Sequence, residues 1–128
     1  MNSPKIEKHD DVQDDVSAIV ASFAAELDDP AKPLSLLVRF QVSDGTQERV
    51  EEAFAAAGRE TRKESGAIAY HLNREARDAT RFVVYERWRS LGDLEAHLRT
   101  PYIATLRAEL DRLIVGVPEF HVLRPAAR

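Results

Sequence analysis

Glu86 stands two residues before Trp88 in the run Tyr85-Glu86-Arg87-Trp88, and His97 follows in Leu94-Glu95-Ala96-His97-Leu98. A carboxyl group among apolar neighbours must be hydrogen-bonded or shifted in pKa, because burying it ionised and alone is costly. An imidazole turned inward can take up or release a proton near neutral pH. Tyr102, just past Thr100-Pro101, is placed to direct a hydroxyl into the same space, and Trp88 offers a flat apolar face. His71 and Asn73 share one face of a neighbouring predicted strand and are further polar candidates. Each of these residues has a purely structural alternative. Glu86 pairs with an arginine or caps a backbone group, Trp88 is core, and His97 is a satisfied, half-buried histidine. Together, Glu86, Trp88, His97 and Tyr102 would converge on the gap between a sheet and its second helix.

Other chemistries lack their residues. There is no cysteine, hence no disulfide, thiolate metal site or thiol nucleophile. His9, His71, His97 and His121 form no HExxH and no close pair at ligand spacing, so no metal site is expected. Glycine-rich phosphate loops, GxGxxG and GxSxG are missing as well.

The elements that would position these residues read clearly from periodicity. Leu34, Leu36, Val38, Phe40 and Val42 alternate along "LSLLVRFQV" and predict a strand. "SDGT" breaks it, with Asp44 or Thr46 as a helix cap, and Val50, Ala53, Phe54, Ala57 and Thr61 stripe a helix running to about Lys63. Ser65-Gly66 ends that helix, the glycine suiting a left-handed turn. Residues 67–73 place Ile68, Tyr70 and Leu72 on one face, and 81–88 place Phe82, Val84, Glu86 and Trp88 together. The polar residues 74–80 between them predict a hairpin. Ser90 with Asp93 forms a capping box for a short helix, and Thr100-Pro101 starts another that carries Ile103, Leu106, Leu110 and Leu113. "VGVP" stops it, and residues 119–124 make a last short strand.

The order strand, helix, strand, strand, helix, strand predicts an α+β, ferredoxin-like four-stranded antiparallel sheet with two helices on one face. Residues 34–128 form this domain, and residues 1–33 a helical arm and linker. Val12, Val16, Ile19, Val20, Phe23 and Leu27 stripe the arm, which must be buried on the main domain or on a partner. Several strands are apolar on both sides: Leu37 opposes Leu36, and Val83 opposes Phe82 and Val84. A sheet covered by helices on one side should alternate more cleanly, so a second copy is expected on the other face as a homodimer.

The composition, 44% hydrophobic and 31% charged over 128 residues, is that of one globular domain. The net charge of −4 concentrates in the arm, where three Lys face eight acids; the remainder carries 15 basic and 14 acidic residues. No basic face suggests nucleic acid as a partner. No apolar run approaches the roughly 18–20 residues that span a bilayer. The first residues lack the apolar stretch of a signal peptide, so no membrane partner and a cytoplasmic location are expected.

"SDGTQERVEEAF", "RKESGAIAYHL" and above all "RFVVYERWRSLGDLEAHLRTPY" resemble the antibiotic biosynthesis monooxygenase (quinol monooxygenase-like) family over about Leu34 to Pro125. The resemblance implies a dimeric α+β barrel. It also implies oxygen insertion into quinol, phenolic or anthrone-like aromatic compounds by dioxygen, with no metal, flavin or other cofactor. A base and a dry cavity suffice for such chemistry, because the deprotonated substrate can itself reduce dioxygen. In this setting His97 is the base or proton shuttle, oriented by Glu86; Trp88 stacks on the substrate ring and Tyr102 hydrogen-bonds a substrate oxygen. Many relatives have a second histidine where this chain has Tyr102. The haem-degrading branch has an asparagine on the first strand, which "LSLLVRFQV" lacks, so haem is disfavoured as a substrate. Two alternatives stay open on the same fold: a non-catalytic ligand-binding or stress-response module, and an isomerase of a small signalling molecule.

Overall fold

The computed structural model describes residues 8–126, with side chains from residue 15. Eight elements follow one another: α1 (Lys8–Ala24), β1 (Leu34–Val42), α2 (Gln47–Thr61), β2 (Ala67–Arg74), β3 (Arg81–Trp88), α3 (Leu91–Leu98), α4 (Pro101–Leu113) and β4 (Ile114–Leu123). The strands form one sheet in the order β2-β3-β1-β4 with every neighbouring pair antiparallel. This is the split βαβ arrangement of the ferredoxin-like fold.

Period-two alternation sets the two faces. Leu34, Leu36, Phe40 and Val42 of β1 and Phe82, Val84 and Trp88 of β3 are buried on the side covered by the helices. Phe40 stacks on Phe54 of α2 and on Phe82, with centroids 6.1 and 5.6 Å away. The caps of the split second helix form as the sequence suggests. Ser90 Oγ accepts from the Asp93 amide at 3.2 Å, and Thr100 Oγ1 from Ile103 at 3.4 Å, each satisfying a first-turn donor.

α1 lies on the same body. Val16 and Phe23 are buried, and Ile19, Val20 and Leu27 pack against the core. The side chain of Val12, the first residue of the predicted stripe, lies outside the described residues, as do residues 1–7. The connection after α1 is tied down by the Leu91 amide donating to the Pro30 carbonyl at 2.9 Å.

Four local readings are corrected. Thr46 takes the cap position of α2, but its side chain makes no cap; the hydroxyl donates to the Ser43 carbonyl instead. Gly66 is not left-handed: an added Cβ would stand 2.3–2.7 Å from the Asp93 side chain, so the glycine serves close approach of the turn to α3. Ile68 is the extra residue of a bulge between Ala67 and Ala69, which leaves it 43% exposed and off the Tyr70 face. β4 begins at Ile114, five residues before the predicted start. A register shift opposite Arg39–Gln41 lets the strand pass Gly116, whose φ is +76°, and Val117, which is 88% exposed.

Candidate active site

Alternation along β3 turns Glu86 to the helix-covered face, where its cross-strand partners are Tyr70 on β2 and Leu36 on β1. The carboxyl is thereby held at mid-sheet, 7% exposed. Its Oε1 accepts from Trp88 Nε1 at 2.9 Å, two residues on along the same strand face. Burial pushes the Glu86 pKa up to about 7; the indole N–H opposes the shift and the nearby Glu64 charge adds to it.

His97 comes from the last turn of α3 and is 2% exposed. The ring lies 4.5 Å from the Trp88 ring and 5.4 Å from Tyr70, centroid to centroid. Its Nδ1 stands 3.0 Å from Glu64 Oε2, an oxygen that also accepts from the Tyr102 hydroxyl. With Glu64 as acceptor, Nδ1 carries the hydrogen, and Nε2 keeps a free lone pair. Burial lowers the His97 pKa, with Glu64 working against it, so the ring is neutral at pH 7. Tyr70 is raised by burial and by the Glu86 and Glu64 charges, which keeps its hydroxyl protonated.

A cavity of about 220 Å³ opens between the sheet and the helices. Leu36, Phe40 and Val84 form its sheet side together with Tyr70 and Glu86, and His97 reaches it from α3. α4 adds Ile103, Leu106 and Leu110, and α1 roofs it with Ile19 and Phe23. Nearly all the wall is apolar. The exceptions are Glu86, His97 and the Tyr70 hydroxyl, with Arg107 and Asp111 on α4. Among the described residues no three His, Cys, Asp or Glu side chains group to hold a metal ion.

The candidates named from sequence therefore separate. Glu86 and His97 line one cavity. Trp88 is fully buried and does not line it; the indole stands behind Glu86 and His97, with no face free for a bound ring. Tyr102 lines a shallow groove between α2 and α4, and its pKa is pushed up to about 12 by burial and by Glu64. His71 and Asn73 point to the uncovered face of the sheet, where both are exposed. His97 is braced by Glu64 rather than by Glu86. Glu64, Tyr70 and Arg107 were not singled out in the sequence. Glu64 sits in the turn after α2, where no periodicity flags it, whereas Tyr70 opposite Glu86 follows from hairpin register.

The profile of the family described as antibiotic biosynthesis monooxygenase matches residues 33–109. In structure the chain is similar to Rv0793 from Mycobacterium tuberculosis, at 27% identity and TM-score 0.70 over 76% of this chain and 98% of that one. It is likewise similar to PA3566 from Pseudomonas aeruginosa, at 24% identity and TM-score 0.69, covering 77% and 98% of the two chains. A third structure, solved as an antibiotic biosynthesis monooxygenase, shares the fold at 18% identity and TM-score 0.70, covering 73% and 99%. No curated protein matches the sequence.

Proposed function

The chain belongs to the antibiotic biosynthesis monooxygenase family, and from that premise we propose that it is a cofactor-independent monooxygenase of an electron-rich aromatic small molecule, quinol, phenolic or anthrone-like. One observation carries the reading: a neutral imidazole and a carboxyl raised to about 7 share the wall of a largely apolar cavity. Buried titratable groups shifted in this way are what proton transfer near neutral pH requires.

In this reading His97 Nε2 accepts the acidic proton of the substrate, and Glu64 at Nδ1 holds the ring and stabilises the imidazolium. The substrate anion reduces dioxygen directly and forms a carbon–oxygen bond, giving a peroxide. The O–O bond then breaks; one oxygen stays in the product as a carbonyl and the other leaves as water. All four electrons come from the substrate. In the same reading Glu86, partly protonated near neutral pH, gives a proton to the departing oxygen. The apolar wall excludes water that would otherwise solvate the anion and slow its oxidation.

The same reading makes the protein a homodimer, with the uncovered sheet faces of two copies closing a barrel. Half-buried Leu37 and Val83 on that face support it, as do Val115, Val117 and Leu123 of β4, exposed by 43%, 88% and 39%. A cytoplasmic location belongs to it too. No helix among the described residues is long and apolar enough to cross a membrane.

The test is incubation with 1,4-dihydroxynaphthalene, its carboxylated analogue 1,4-dihydroxy-2-naphthoate, substituted hydroquinones and anthrone, with and without dioxygen. Conversion above the spontaneous rate that vanishes under nitrogen is expected. Undiminished conversion under nitrogen would identify an isomerase, and no conversion of any compound a non-catalytic binding module.

A further inference from the structure

Arg107 is the cation of the cavity wall, on the α4 face that also carries Ile103 and Leu110. Its Nη1 is buried without a hydrogen-bond partner, the sole such side-chain atom among the described residues. Asp111, one turn further along α4, lines the same cavity, yet the two side chains form no ion pair. A guanidinium is always charged and presents a planar fork of donors. Leaving one of its N–H groups buried and unmet is unfavourable, and the deficit is removed when the guanidinium turns to meet an acceptor that arrives with the ligand. The remaining wall offers such a ligand apolar and aromatic surface, with Phe40 and Phe54 on one side and Phe23 on the other.

We propose that the cavity is built for an aromatic acid, a ring compound bearing a carboxylate that accepts hydrogen bonds from the Arg107 guanidinium while the ring lies against Phe40, His97 and Leu110. This names the substrate class for the site described above and rests on that cavity being the substrate site. A phenol or amide oxygen accepts from Nη1 only as a neutral partner, whereas a carboxylate meets it with a charge-assisted bond about twice as strong. Arg107 thereby acts as a specificity residue, at the opposite side of the cavity wall from the sheet that carries Glu86. Asp111 works against it by repelling the same carboxylate, so the preference is the balance of the two effects.

Binding under nitrogen, by isothermal titration calorimetry, separates this from the oxygen chemistry. The probes are 2-naphthoate and its neutral isostere 2-naphthamide, applied to the full chain. The wild type should prefer naphthoate by at least about ten-fold, the size expected of one charge-assisted bond out of water. Arg107→Gln should abolish the preference without weakening naphthamide binding, Arg107→Lys should keep part of it, and Asp111→Asn should strengthen it. Melting curves confirm folding of each variant; should Arg107→Gln not fold, the Lys and Asn variants decide. Equal binding of the two probes by wild type, an Arg107→Gln variant that retains the preference, or no binding of either probe would overturn the inference. If the preference holds but no aromatic substrate consumes dioxygen, the oxygenase reading falls and the acid site stands. If oxygen is consumed but the cavity does not discriminate between the probes, the acid site falls and the oxygenase reading stands.

Discussion

The two faces of the sheet use the same residue types to opposite effect. On the helix-covered face Glu86 is buried with one N–H donor and a raised pKa. On the uncovered face Glu75 meets Arg39 at 2.6 Å, both side chains half-exposed, and the arginine holds its carboxyl below the usual range. Tyr70 packs its ring against His97 inside, while Tyr85 outside exchanges a 3.2 Å hydrogen bond with Ser35. Water accounts for the contrast. Where it is excluded, a carboxyl becomes a weak acid near neutrality; where it is present, the same group is an ordinary anion. Chemistry is therefore expected on the inner face and association on the outer.

His97→Gln tests the inner face with the largest expected effect. It should lower oxygen uptake by roughly 10²–10⁴-fold, as loss of a general base does, measured below the variant's melting temperature so that unfolding does not mimic the loss. A variant of undiminished rate would rule out proton transfer by His97. Trp88→Ala comes next, because it empties a fully buried position behind the site. Urea unfolding should show a loss of about 3–5 kcal/mol at every protein concentration. Val83→Arg on the outer face should instead act on association, shifting sedimentation to the monomer. If the protein sediments as a monomer before any substitution, the division of labour between the faces is wrong.

Glu86→Gln sharpens the comparison through pH. Burial raises Glu86 from 4.5 to about 7, so the folded state holds this proton more tightly than the unfolded chain. Its contribution to stability is therefore complete below pH 4.5 and is lost as pH rises through 7. His97 is lowered from 6.5 and has the opposite sign, adding stability as pH rises towards that value. The glutamine variant removes the first dependence and keeps the second. Between about pH 5 and pH 8 it should gain on the wild type by on the order of 3 kcal/mol, and parallel pH profiles would show that Glu86 is solvated. The smallest effect is expected from Arg39→Ala, whose half-exposed ion pair is partly screened by water and salt; its melting temperature should change least among these variants.

The order of elements was legible in the sequence because each carries its own period, and β3, with its strict alternation, placed Glu86 on the inner face outright. What escaped lies between elements. Glu64 reaches His97 across 33 positions of chain from a turn without pattern. The eclipse of Trp88 behind Glu86 depends on side-chain packing that alternation alone does not determine. The bulge at Ile68 moved one residue out of a face that period two had assigned to it, and Gly66 answers to the proximity of Asp93 rather than to its own backbone angle. Local rules read the scaffold; contacts distant in sequence decide which polar groups meet.

The most direct test is a crystal structure obtained after an anaerobic soak with 1,4-dihydroxynaphthalene. The ring should lie inside the cavity between sheet and α4, with an oxygen atom within hydrogen-bond distance of His97 Nε2. A ring seated on the outer face, or a cavity that admits no ring, would contradict proton abstraction at this site.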